Sequence, residues 1–202
     1  MTFISSAFLH AYRNWSRLGA KCFSLLVSGA FAHFGSRTVI MRPVRLGGEG
    51  RISVGNGVYI GAGSWLQTLP DDANRSVAIR IDDGVSVAGA CVISAVRSVR
   101  LEEEVLLARN VYISDHIHRY TDTDKAILRQ GVDKIRPVLI RRGAWLGQNV
   151  VVCPGVTIGR GSVVGANSVV TRDIPDYVVA AGSPARIIKQ IEAAGVPVYQ
   201  KV

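Results

Sequence analysis

In residues 140–174 an aliphatic side chain returns at every sixth position: Ile140, Leu146, Val152, Ile158, Val164 and Val170. Four residues after each stands a small or branched one: Ala144, Val150, Val156, Ser162, Ser168 and Ile174. A period of six is neither the 3.6 of a helix nor the alternation of a hairpin sheet. It is the hexapeptide signature of a parallel β-helix. Each hexad supplies one short strand and one turn. The aliphatic residue points inward and the residue four later fills a corner. Gly147, Gly159 and Gly165, directly after three of the aliphatics, relieve the turn backbone. Three hexads make one triangular coil, and stacked coils bury a continuous aliphatic core.

Composition agrees with so narrow a core. Hydrophobic residues make up 48% of the 202 positions but aromatics only 7%, so the interior is built from Val, Ile, Leu and Ala. The length fits one domain. A net charge of +9 points to an anionic partner, either a polyphosphate cofactor or an acidic membrane surface. No basic motif with interleaved aromatics is present, so nucleic acid is not expected. Cys22, Cys91 and Cys153 follow no disulfide or zinc spacing and read as reduced thiols. With no convincing signal peptide and no apolar run long enough to span a bilayer, the expected place is the cytoplasm, free or peripheral on the membrane face.

The chain divides into three parts. Residues 1–38 read as a helical cap. Phe3, Ala7, Phe8, Ala11, Tyr12, Trp15 and Leu18 follow helical spacing, Arg13, Arg17 and Lys21 sit among the polar positions, and a second apolar helical piece runs to Phe34. Such helices either close the open end of a solenoid or lie on a membrane surface through residues 1–34; the two are compatible. Residues 39–183 carry the repeat. The inward positions begin near Leu46 and run through Val54, Ile60 and Leu66, with Ile52, Val58 and Ser64 at corners. A loop at 68–76 interrupts them, and they resume at Ile81, Val87 and Ile93. After a two-residue slip near 97–100 they continue at Leu101, Leu107 and Ile113. From 114 to 137 no hexad survives, and this polar stretch reads as a protruding functional loop. Residues 184–202 read as a short helix near 185–194 with a tail.

The loop opens on Asp115-His116-Ile117-His118. A histidine near its free pKa of about 6.5 can take a proton from a hydroxyl nucleophile, and a nearby carboxylate can fix its tautomer. Asp115 is a candidate for that, although neighbours in extended chain point to opposite sides.

The hexads, the segments HRYTD and AWLGQNVVVCPGVTIG, and the ending VVTRDIP…AAGSPAR resemble the hexapeptide-repeat acyltransferases. The resemblance is closest to the sugar O-acetyltransferases of polysaccharide and lipopolysaccharide biosynthesis, galactoside and maltose acetyltransferase-like, and spans roughly residues 40–192. It implies a mainly β fold, a left-handed parallel β-helix with N-terminal α-helices. It also implies a homotrimer whose sites lie between subunits, acetyl-CoA as acyl donor, no metal, and a sugar or lipid-linked glycan as acceptor. The implied chemistry is direct transfer with a histidine base and no covalent intermediate. By its spacing from Ile113 the resemblance puts His118 first as the base, with His116 as the alternative. Asp115, Tyr120 and Trp145 fall where acceptor contacts are expected. Gly147, Ala166, Thr171, Arg172, Arg186 and Lys189 fall along the expected cofactor groove. Three other readings stand beside this one. In the first, an acyltransferase of the same kind acts on a non-glycan acceptor, such as an antibiotic, an amino acid or an amino sugar. A zinc-dependent carbonic anhydrase needs three separated histidines, and His10 and His33 lie in the cap. A non-catalytic scaffold would need neither the loop histidines nor the terminal run.

Overall fold

The computed structural model describes residues 3–71 and 76–192. Three parallel sheets close around an aliphatic column, forming a parallel β-helix of the left-handed class. Each turn of the chain visits the sheets in the same order. One turn runs Val138–Ile140, Trp145–Leu146 and Val151–Val152. The next lies directly on it, with Ile158 beside Ile140, Val164 beside Leu146 and Val170 beside Val152.

The hexad frame accounts for the packing residue by residue. All six inward aliphatics of 140–174 are fully buried, and the six corner positions are buried with them. Two corners are serines, which burial would penalise without partners. The Ser162 hydroxyl donates to the Pro175 carbonyl and that of Ser168 to the Gly165 carbonyl. At the turns, Asn110, Asn149 and Asn167 adopt left-handed backbone with φ near 60°, which Asn tolerates better than most residues. Their side chains form a ladder: the Asn110 amide donates to Asn149 at 3.2 Å, and the Asn149 amide donates to Asn167 at 2.8 Å.

Coil stacking is tight where Gly159 passes Pro175. A Cβ built on Gly159 collides with the Pro175 backbone, which no rotamer change relieves. Gly159→Ala is therefore expected to cost about 1–3 kcal/mol through overpacking, read as a lower midpoint in denaturant with an unchanged slope.

Two expectations at the ends need correction. The second apolar piece of the cap is not a separate helix. One helix, α1 (Phe3–Val27), is followed by a short 3-10 turn, Ser28–Ala30, and by a strand, His33–Phe34, on the first sheet. The repeat thus begins a coil earlier than Leu46. Phe34, Ile40 and Leu46 are in fact spaced by six, and Phe31 and Phe34 meet edge to face at 5.2 Å as the base of the column. The aromatic residues disguised the frame.

At the other end, Ala185–Gln190 is a strand and not a helix. It pairs antiparallel with Val178–Gly182 and completes the second sheet. The hairpin turns through Gly182 at φ 107°, and Ile187 and Ile188 suit a strand better than a helix. Pairing also covers an edge that would otherwise expose free N–H and carbonyl groups. The expected tail beyond residue 192 lies outside the described residues.

Candidate active site

The strand Tyr112–Ser114 is the last piece of regular coil before the loop. Ile113 points into the column, and the chain then bends at Asp115. The bend overrides the alternation of extended chain and lets neighbouring side chains meet. The Nδ1 of His116 lies 2.8 Å from Oδ1 of Asp115. Asp115 is fully buried and the His116 ring is 8% exposed.

Asp115 is held from several sides. Its carboxylate accepts the backbone N–H groups of Val96, Arg97 and Ser98 at 2.9, 2.7 and 2.8 Å. These three residues form the two-residue slip seen in the hexad register, so the carboxylate is what closes that irregular turn. Burial alone would raise the Asp115 pKa. The hydrogen bonds from His116 and from the three amides outweigh it and hold the carboxyl below the usual value of 3.8. An ionised Asp115 can only accept, so Nδ1 of His116 carries the proton. Nε2 is then the ring atom with a lone pair, and among the described residues nothing hydrogen-bonds to it. This is the tautomer a general base requires.

The loop leaves and returns as an arm. Ile117–His118 pairs antiparallel with Val132–Asp133, and the N–H of Arg136 donates to the Asp115 carbonyl at 2.8 Å. His118 is exposed on this arm, and its ring makes no hydrogen bond among the described residues. Tyr120 is also exposed, with the Lys134 ammonium 5.9 Å from its ring centre. At the arm's outer end Ile127 and Leu128 face solvent.

The sequence did not single out Arg51, which ties the 69–76 loop to the same corner. Its guanidinium donates to the carbonyls of Ser76, Leu69 and Val96 at 3.0, 2.7 and 2.8 Å. Arg97 adds an ion pair with Asp71 at 3.6 Å. Both interruptions of the repeat, 68–76 and 114–137, are therefore anchored on residues 96–98, beside Asp115. An arginine beside a repeat strand carries no periodic signal, so only the fold reveals it. Ser114, whose Oγ lies 3.2 Å from His116 Nδ1, was likewise missed.

The residues expected along a cofactor groove lie on the later coils. Trp145 is 47% exposed on the second sheet, stacked between Leu106 and Val163. The Gly147 N–H is already used, donating to the Val164 carbonyl at 2.8 Å. What Gly147 supplies is room, because a Cβ there would meet the Ala166 backbone. The Ala166 N–H has no partner among the described residues. Thr171 and Arg172 are exposed at the following turn. Arg186 and Lys189 lie exposed on the final strand, opposite Ala181 and Val179. No group of three His, Cys, Asp or Glu side chains is placed to hold a metal among the described residues.

Comparison with known proteins places this geometry. Residues 137–172 match the bacterial transferase hexapeptide (six repeats) family. The WbbJ protein of Escherichia coli (strain K12), named for lipopolysaccharide-biosynthesis O-acetyl transfer, is 36% identical over 163 residues, covering 75% of this chain and 78% of that protein. The galactoside O-acetyltransferase of the same strain is 43% identical over 94 residues, 46% of this chain and 45% of that one. Among solved structures, a hexapeptide-repeat acetyltransferase from Vibrio cholerae in complex with acetyl-CoA superposes with TM-score 0.59 at 22% identity, covering 89% of each chain. The Bacillus cereus N-acyltransferase AntD, in complex with dTDP and 3-hydroxybutyryl-CoA, gives TM-score 0.71 at 19% identity over 84% of this chain and 88% of that one. At these identities the two structures show the fold. The relationship to WbbJ over about three quarters of each chain, together with the matched repeats, shows that the chain belongs to the hexapeptide-repeat acyltransferases.

Proposed function

We propose that the protein transfers an acetyl group from acetyl-CoA to a hydroxyl of a sugar or glycan precursor, with His116 as general base. The observation that carries the base assignment is the buried Asp115–His116 pair at 2.8 Å, which fixes Nδ1–H and leaves Nε2 to accept a proton. In the transfer, Nε2 takes the proton of the acceptor hydroxyl as its oxygen bonds to the thioester carbonyl carbon. The tetrahedral oxyanion then collapses, the carbon–sulfur bond breaks, and the imidazolium returns its proton to the departing thiolate. A backbone N–H aimed at the oxyanion supplies the remaining stabilisation.

Three features support the rest of the reading. Two relatives are named for O-acetyl transfer, one in lipopolysaccharide biosynthesis and one to galactosides, which favours a carbohydrate acceptor. The free N–H of Ala166, with Thr171, Arg172, Arg186 and Lys189 exposed beyond it, offers amide and cationic partners to a pantetheine arm and its phosphates. Outward Tyr59, Leu106 and Trp145 form one exposed column and Tyr112 lies on the next sheet. These apolar faces support a homotrimer in which a neighbouring subunit completes the site. In it, His118 and Tyr120 on the arm meet the acceptor.

The test is transfer of labelled acetyl from acetyl-CoA to a panel of sugars and amino sugars. Label on a sugar hydroxyl is the expected result, and label only on an amino group would overturn the O-acetyl reading. Trp145→Ala, at a half-exposed position, should lower kcat/KM about tenfold, roughly 1.4 kcal/mol of transition-state binding.

A further inference from the structure

Among the described residues, helix α1 meets the β-helix along one narrow stripe. Ala20 and Ser24 are buried, and Phe23 and Val27 pack against the core. The Ser24 hydroxyl donates to the Ala20 carbonyl and accepts the Ile40 N–H, both at 2.8 Å, and the Arg42 guanidinium sits 5.6 Å from the Phe23 ring centre. Several of the helix's large apolar side chains are not in this stripe. At 100° per residue, Phe8, Tyr12, Trp15, Leu18, Leu25 and Leu26 share a separate sector about 140° wide. All six are exposed, Trp15 at 78% and Leu26 at 85%. A 25-residue helix is about 37 Å long, so this is a large apolar face that the fold leaves uncovered.

The charge around the face identifies what covers it. Arg13, Arg17 and Lys21 lie together on the polar side of the helix, with His10 beside them. No Asp or Glu occurs anywhere in residues 1–48, whereas Arg37, Arg42 and Arg45 continue the basic character into the first coil. All acidic residues of the chain lie beyond that point. A second copy of the helix laid on this face offers these cations no carboxylate, because residues 1–48 hold none. An anionic surface supplies the counter-charge that the helix and its own copies lack. Among the described residues no helix is long and apolar enough to cross a membrane, which leaves a helix lying along the surface as the membrane-bound arrangement.

We infer that α1 is an interfacial anchor that seats the enzyme on an anionic lipid bilayer, with Trp15 and its apolar neighbours in the acyl boundary and Arg13, Arg17 and Lys21 among the headgroups. The inference stands on the helix alone and does not depend on the identity of the catalytic base.

The experiment is co-sedimentation of the full-length protein with vesicles of phosphatidylcholine alone or mixed with phosphatidylglycerol, at low and high salt. Sedimentation velocity in parallel reports the oligomeric state. The wild type should partition onto the phosphatidylglycerol vesicles and weaken as salt rises. The triple variant R13E/R17E/K21E should bind at least a hundredfold more weakly, each basic residue contributing roughly a fivefold factor at an anionic surface. Trp15→Asp should also lose binding while keeping the wild-type oligomeric state and melting temperature. Absence of wild-type binding to the anionic vesicles would overturn the inference. So would a Trp15→Asp protein that binds like wild type, or one that dissociates into smaller species, since the latter would make the face a contact between copies of the chain.

Discussion

Replacing His116 with alanine is expected to lower the transfer rate by about 10²–10⁴, the usual contribution of a positioned general base, and to leave the KM for acetyl-CoA nearly unchanged. The split follows from where the residue sits. His116 lies at the mouth of the arm, whereas the residues offered to the cofactor lie on later coils and the final strand. A base acts on the rising charge of the transition state and adds little to ground-state binding of the thioester. His118→Ala should instead raise the acceptor KM with a smaller fall in kcat, because among the described residues no carboxylate fixes the tautomer of this exposed side chain. Initial rates with both substrates varied separate the two. If His118→Ala abolishes turnover and His116→Ala retains it, the roles are reversed and the Asp115–His116 pair is structural.

Asp115→Ala has the second large effect, on stability as well as rate. The substitution strips three backbone N–H groups and an imidazole N–H of their shared acceptor in a buried corner. Removing one partner of such a buried cluster costs about 3–5 kcal/mol, read from denaturant midpoints. Asp115→Asn keeps one acceptor oxygen and should cost less. Its amide, however, can donate to Nδ1 and drive the proton to Nε2, so the rate still falls by 10² or more although the protein folds. The pH dependence has a definite sign. The folded-state pKa of Asp115 lies below the ordinary 3.8, so its stabilisation is complete above about pH 4. It is lost as pH falls through the lowered value, where the folded carboxylate must take up a proton. Acid unfolding of Asp115→Asn should lack that component.

Much of the architecture is legible because the repeat repeats. Ile140 to Val170 each face the same axis for the same steric reason, so one reading of the period assigns inward, corner and turn positions together. Legibility fails where a residue answers to a neighbour far along the chain. Phe34 belongs to the repeat but is aromatic, so it reads as the end of a helix until Ile52–Val54 is seen beside it. Ile187 and Ile188 become a strand because Val178–Gly182 offers an open edge, and nothing within 185–194 announces that edge. The mouth of the arm is divided in the same way. That the broken register and its two histidines mark the candidate site is visible in the sequence, and the family resemblance, through its spacing from Ile113, implies His118. The bend that brings Asp115 onto His116 depends on amides at 96–98, which local pattern cannot supply. Arg51 is invisible for the same reason, since its three acceptors span residues 69–96.

The central claim is that a histidine fixed by Asp115 moves acetyl from coenzyme A to a sugar hydroxyl. Its most direct test is acetyl transfer from labelled acetyl-CoA to sugar acceptors by wild type, His116→Ala and Asp115→Asn, with folding checked by circular dichroism. The account predicts an O-linked acetyl group on a sugar for the wild type and near-background transfer for both folded variants. Wild-type transfer matched by either folded variant, or no labelled sugar from a wild type shown to be folded, would contradict it.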